Sequence, residues 1–242
     1  MRIELGTIEK ILRYPVKSMR GESLDSAEMG WHGLDGDRRL ALRRTRERGG
    51  FPWLSASKLP ELVLFTPKRP DGAGLDVLPT HVRTPEGQDL PIFGAELAEA
   101  IGHKLAAPVE MMQLKHGIFD DGTISLITSD TIDDIARRSG TTPDVRRFRP
   151  NILVRSAQGV PFEEDTWLGG VLSFGDQEDA AAVTVTLRDL RCVMVNFGPD
   201  DGRSTPEVMR AIVERTGNYA GVYATVTRGG TIAVGQRIWL HR

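Results

Sequence analysis

Apolar residues along this chain come in short runs that alternate with polar ones or are rich in β-branched side chains. Residues 6–16 (GTIEKILRYPV), 38–44 (RRLALRR), 61–67 (ELVLFTP), 151–156 (NILVRS), 183–189 (VTVTLRD) and 191–197 (RCVMVNF) read this way, broken by Gly, Pro or Asp, which predicts strands. Residues 221–240 (GVYATVTRGGTIAVGQRIWL) predict a hairpin turning at or near Gly229-Gly230, then a further strand. Helical periods are few: 94–105, 129–138 with Ser129 or Asp130 as N-cap, and 206–216 with Pro206 in the first turn, acid early and arginine late. Many short strands and few helices predict a mainly β chain with sheets closed into barrels or sandwiches. The expected seam lies around 106–122, dividing 1–110 from 111–242, and 68–80 reads as an exposed loop.

A length of 242 residues allows one large domain or two small ones, and 40% hydrophobic with 26% charged residues supports a packed core. A single cysteine excludes an internal disulfide framework and any zinc site built from several cysteines of one chain. The start, MRIELGTIEK, lacks a signal-peptide run, and no later stretch is apolar enough for a membrane helix, so the expectation is a soluble cytoplasmic protein. A net charge of -2 gives no basic footprint for nucleic acid. The five histidines (32, 81, 103, 116 and 241) lack metal-ligand spacing. No Walker loop, dinucleotide glycine fingerprint or nucleophile elbow is present. Arginine outnumbers lysine 25 to 6, which reads as codon bias or as planar anion recognition.

Four stretches carry candidate chemistry. Cys192 follows VTVTL, whose alternation breaks at Arg188, Asp189 and Arg191; it is either a small buried hydrophobe or a thiolate favoured by cationic neighbours at a bulge or site rim. In 143–154 (PDVRRFRPNILV), Arg146, Arg147, Arg149 and Asn151 precede or open a strand, with Pro150 restricting the backbone. That cluster is a solvated rim or a rigid platform for a phosphate or extended heteroaromatic group. Residues 14–21 (YPVKSMRG) offer Lys17, Ser18 and Arg20, and 161–167 (PFEEDTW) an acidic turn with an aromatic residue.

Together these stretches resemble the MOSC family (molybdenum cofactor sulfurase C-terminal domain) preceded by its N-terminal β-barrel partner domain. The resemblance rests on YPVKSMRGESL, GLDGDRRLAL and FPWLSASKLPEL in the first half, then RRFRPNILV, PFEEDTW, RCVMVNFGPDDG and GVYATVTRGGTIAVGQRIWL. It implies a β-barrel MOSC fold with a smaller β-rich N-terminal domain and a few short helices. It also implies binding of molybdenum cofactor, the metal held on the dithiolene of a phosphorylated pterin, without pyridoxal phosphate. In members similar to the mitochondrial amidoxime-reducing component, the cysteine matching Cys192 is a metal ligand, and soft thiolate suits such a metal. In other members it is thought to carry sulfur. Lys17, Ser18 and Arg38 match cofactor-facing positions; Arg147, Arg149 and Asn151 match the second cofactor-contacting motif. The chain departs from the family at Asp189-Leu190, where a cysteine or proline is frequent, and at 195–199 (VNFGP), where Thr-x-Val-Asp-Pro is frequent. Three readings follow: a molybdenum-dependent oxidoreductase acting on N-oxygenated or related small substrates, a sulfur carrier with a persulfide on Cys192, and a non-catalytic cofactor-binding module. One cysteine cannot hold a four-cysteine iron–sulfur cluster, so a reductase is expected to need a separate electron-donor protein.

Overall fold

The protein is described by a computed structural model covering residues 1–74, 77–117 and 121–242. Parts of the expected loop (75–76) and seam (118–120) therefore lie outside the described residues. In chain order the elements are β1 (Arg2–Arg13), β2 (Glu22–Leu24), β3 (Ser26–Gly30), β4 (Gly33–Leu34), β5 (Leu40–Arg44), β6 (Thr66–Lys68), β7 (His81–Arg83), β8 (Asp89–Pro91) and α1 (Ala95–Leu105). They continue with β9 (Val109–Gln113), β10 (Ile124–Thr128), α2 (Ser129–Ser139), β11 (Ile152–Ser156), β12 (Val171–Phe174), β13 (Ala182–Leu190), α3 (Pro206–Thr216), β14 (Tyr219–Arg228), β15 (Gly230–Ala233) and β16 (Arg237–His241).

The molecule is mainly β. Its principal sheet runs β11-β10-β14-β13-β12-β16-β1, and a β11–β1 pairing closes these seven strands into a barrel, with β2 added beside β1. All of these pairs are antiparallel except β10–β11. Alternation explains the closure: Ile124 and Leu126 of β10, Ile152 and Val154 of β11, Val183 and Val185 of β13, and Val222, Ala224 and Val226 of β14 all enter one apolar core. The intervening Ile127 and Leu153 point the other way, into a second core under α2 and α3. A register shift between Ile8 and Lys10 lets Ile8 and Ile11 both face inward despite their odd spacing.

Residues beyond β1 build smaller sheets: β15-β3-β4, β5-β9 and β6-β7-β8. Val16, Met19, Leu40, Leu42, Leu62, Phe65 and Ile101 belong to their own core cluster, apart from the barrel's.

Several expectations change. Residues 221–240 do not form a hairpin: β14 pairs with β10 and β13, whereas β15 pairs with β3. Gly229 sits where a Cβ would stand 2.9 Å from the Met29 carbonyl oxygen, and Gly230 has φ +147°, so the glycines redirect the chain instead of reversing it. Pro60–Leu64 and Val193–Asn196 are 3₁₀ turns, not strand. The N-cap of α2 is Thr128, whose hydroxyl oxygen accepts from the Thr131 amide, not Ser129 or Asp130.

Candidate functional site

The cleft forms where chain segments leave regular strands. Past the end of β1, the Lys17 amide donates to the Leu40 carbonyl at 2.8 Å, and Ser18 accepts the Ala56 amide at 3.1 Å. Arg38 docks on the same corner, its amide donating to the Tyr14 carbonyl at 2.8 Å and its Nη2 to the Arg149 carbonyl at 3.1 Å. Among the described residues, six non-glycine positions have positive φ, and Ser18 (66°), Arg38 (48°) and Arg149 (53°) are three of them. A non-glycine residue held there costs on the order of 1 kcal/mol and persists only where its surroundings fix it.

These residues border a cavity of about 310 Å³. Its walls include five cationic side chains (Lys17, Arg38, Arg147, Arg149, Arg191) and two carboxylates (Asp121, Asp189), together with Ser18, Ser125, Phe51 and Tyr223. A buried polar floor supports it. Asp37, 1% exposed, accepts from the Tyr14 amide (2.7 Å), from Asn151 Nδ2 (3.1 Å) and from Arg38 Nη1. Burial works against charge on Arg38, yet the Asp37 carboxylate and its hydrogen bond outweigh it and raise the guanidinium's pKa. Asn151 also accepts from the Ser125 amide at 3.1 Å, and the Ser125 hydroxyl donates to Asp189 at 3.0 Å.

Cys192 is exposed and lies two residues beyond β13, which loses register between Val185 and Leu187 and again between Arg188 and Leu190. The broken alternation in the sequence is therefore a pair of irregularities in the strand leading to the thiol. Arg188 and Arg191, read as neighbours favouring thiolate, are held by other groups. Arg191 is buried, donates to the Ala220 and Phe148 carbonyls at 2.7 and 2.8 Å and pairs with Asp189 at 3.0 Å. Arg188 pairs with Asp165 at 2.8 Å.

Of the residues singled out by sequence, Lys17, Ser18, Arg38, Arg147, Arg149 and Cys192 line this one cavity. Asn151 does not line it; at 1% exposure it pins the floor. Arg146 pairs with Asp144 and Asp200, and Arg20 donates to the Pro199 carbonyl at 2.8 Å. The 161–167 turn lies on the barrel side, with Trp167 in the barrel core and Glu164 accepting from Thr128 and Thr131. Sequence reading missed Asp37, Ser125 and Asp189 as supports. Ser125 carried a signal, being the polar residue inside the otherwise apolar ISLI run.

Among the described residues no cluster of three or more His, Cys, Asp or Glu side chains is placed to hold a metal ion. A metal bound at Cys192 must therefore bring most of its ligands with it. The donor set fits such a group: guanidinium and ammonium donors with serines suit a phosphate and a polar ring, and the thiol suits a soft metal. No helix among the described residues is long and apolar enough to cross a membrane.

A closed barrel with a cationic cleft and a single exposed thiol at its side defines the class. The MOSC domain family model matches residues 113–239 and the MOSC N-terminal beta barrel domain model residues 5–122, and the chain belongs to the MOSC family. It is 24% identical to mitochondrial amidoxime reducing component 2 of Bos taurus over 98% of this chain and 83% of that protein. It is 25% identical to molybdenum cofactor sulfurase of Oryza sativa subsp. japonica over 81% of this chain but only 29% of that protein. The structure of the YUAD protein from Bacillus subtilis shares the fold, with a TM-score of 0.54 at 16% identity over 100% of this chain and 97% of that one.

Proposed function

We propose that the cleft binds molybdenum cofactor, that Cys192 is the protein's ligand to the metal, and that the loaded protein reduces N-oxygenated or related small substrates. The observation that carries this reading is the exposed thiol of Cys192 on the wall of a 310 Å³ cavity whose cations outnumber its carboxylates five to two. Likeness to an amidoxime reducing component along nearly the whole chain supports a reductase over a sulfurase, of which this chain spans less than a third.

When bound, the cofactor supplies a metal centre able to exchange two electrons and an oxygen atom with substrate. The chain's own residues bind and orient it. Lys17, Ser18 and Arg38 would hold the phosphate. Arg147 fixes its own position through Nη1, which donates to the Val195 and Asn196 carbonyls at 3.3 and 2.9 Å, leaving its remaining N–H groups for the pterin. Arg149 is held by the Met19 carbonyl at 2.6 Å and lies 4.1 Å from the Tyr14 ring centroid, an arrangement that presets a planar donor beside the ring system. Electrons would come from a separate donor protein.

The test is metal and pterin analysis on protein from a host that makes the cofactor, followed by reduction of an amidoxime with an artificial electron donor. The expected result is stoichiometric molybdenum and pterin, turnover in the wild type, and lost turnover with disturbed molybdenum in a folded Cys192→Ser variant. Cyanide-labile sulfur on Cys192 without molybdenum would make the protein a sulfur carrier instead. Bound cofactor without turnover would make it a binding module.

A further inference from the structure

A second cavity, about 220 Å³, adjoins the first and shares Arg147, Arg149 and Met194 with it. Neither Tyr14 nor Arg20, which line it, lines the larger cavity. The walls are chemically mixed. Leu12, Val63, Val145 and Phe197 supply apolar surface, while Glu22 and Asp144 are the acidic residues. Both carboxylates are already neutralised: Glu22 pairs with Arg13 and Arg69 at 2.8 and 2.5 Å, and Asp144 with Arg146 at 2.7 Å.

Two of the lining residues carry a buried donor that is unmet. The Tyr14 hydroxyl belongs to a residue only 1% exposed and has no hydrogen-bond partner among the described residues, and the buried Nε of Arg20 has none either. A buried donor left without an acceptor is destabilising, so each calls for an acceptor from a ligand. The tyrosine stays a donor at neutral pH, because burial pushes its pKa up to about 12 against the nearby arginines. Its ring lies against Gly21, where an added Cβ would come within 2.4 Å of ring carbons. Glycine there is what lets the aromatic wall stand where it does.

We propose that this cavity is a binding site, separate from the cofactor cleft, for a small carboxylate on an apolar ring-sized body. The volume is below the roughly 300 Å³ at which drug-sized pockets begin, which limits the occupant to about one ring. The carboxylate accepts from the Tyr14 hydroxyl and the Arg20 guanidinium while the ring packs on the apolar walls.

Calorimetric titration of the purified protein with benzoate, and with benzamide as the uncharged isostere, tests this. Saturable one-to-one benzoate binding is expected, with benzamide about tenfold weaker or more. Tyr14→Phe and Arg20→Gln should each weaken benzoate about tenfold, with unchanged circular dichroism. Tyr14→Phe, which removes a buried unmet donor, should melt no lower than the wild type, whereas Arg20→Gln also gives up the contacts with the Pro199 carbonyl and Asp200 and should melt slightly lower. Lys17→Gln, which alters only the larger cavity, should leave benzoate affinity as it was. Absence of saturation in the wild type, equal affinity for benzamide, or full affinity in both Tyr14→Phe and Arg20→Gln would overturn the site. Loss of binding in Lys17→Gln alone would assign benzoate to the larger cavity, which also overturns it. None of these readouts depends on bound molybdenum, so the cofactor assignment stands or falls separately.

Discussion

The interior of the barrel and the cleft outside it use the same strands in opposite ways. On β10, Ile124 and Leu126 pack into the barrel core, while Ser125 between them lines the cleft and donates to Asp189. On β13, Val183 and Val185 enter the core while the strand keeps its alternation; Asp189 reaches the cleft only after the register has slipped. Inside, apolar side chains fill the space. Outside, left-handed backbone at Ser18, Arg38 and Arg149 and a buried carboxylate, Asp37, hold cations at a cavity. Barrels of this size are filled by their own side chains, so a ligand must sit against the wall where strands end. On the proposed function, stability is drawn from the inside and cofactor occupancy from the outside, and the two should respond to different mutations.

The largest effect belongs to Trp167, fully buried in the barrel core. Trp167→Ala should cost about 3–5 kcal/mol through lost burial and the cavity it leaves, read by denaturant unfolding. The fraction of remaining folded protein able to bind cofactor should stay near that of the wild type. A stable variant that no longer takes up cofactor would break the division between the two regions.

The same division explains what the sequence made legible. A period of two is written by the barrel's inward positions, so β11, β13 and β14 could be read from ILVRS, VTVTL and GVYATV, and β1 from GTIEKILR despite its register shift. Candidate cleft residues stood out because charge interrupts apolar runs there. Non-local partners were not legible. VMVN has strand-like residues but becomes a 3₁₀ turn, where Val195 enters the core under α3 and Asn196 accepts the Met209 amide at 2.9 Å. Gly229-Gly230 looks like a hairpin turn until β3 competes for β15. Asp37 looks like one more acid in a GLDGDRR turn, because Asn151, the group that completes its hydrogen bonds, is 114 residues away.

A second, intermediate effect carries a pH signature. Glu164 is fully buried at the barrel side of α2, and burial pushes its pKa up to about 7, with the Thr131 and Thr128 hydroxyls only partly opposing that. Its folded pKa thus lies above the ordinary 4.5. The stability linked to it is full below the unfolded pKa and is lost as pH rises through the folded one. The change amounts to about 3 kcal/mol from this group between pH 4 and pH 8. Glu164→Gln should remove that loss: equal stability to wild type near pH 4, greater stability near pH 8, both by denaturant titration. A wild type whose stability relative to Glu164→Gln does not change with pH would show that the carboxyl is ionised in the fold.

The smallest effect on stability, and the sharpest test of the division, is expected at Arg149. Its φ of 53° is costly for any side chain but free for glycine. Arg149→Gly relieves that strain, about 1 kcal/mol, while losing the hydrogen bond to the Met19 carbonyl and the contact with the Tyr14 ring. Those losses are each about 1 kcal/mol, and the added chain entropy of glycine takes a further ~0.5–1 kcal/mol. The net change in unfolding free energy should thus be a modest loss of about 1–2 kcal/mol, well below that of Trp167→Ala. Cofactor content should fall far more than this loss accounts for, because a guanidinium fixed at the cavity wall is removed while the barrel core is untouched. Arg149→Ala separates the two contributions: it removes the same donors but keeps the strain, so it should match glycine in cofactor content and be less stable where strain outweighs chain entropy. If both variants retain cofactor and only their melting temperatures drop, Arg149 is a structural clamp between Met19 and Tyr14, and the cleft's binding must rest on Lys17, Arg38 and Arg147.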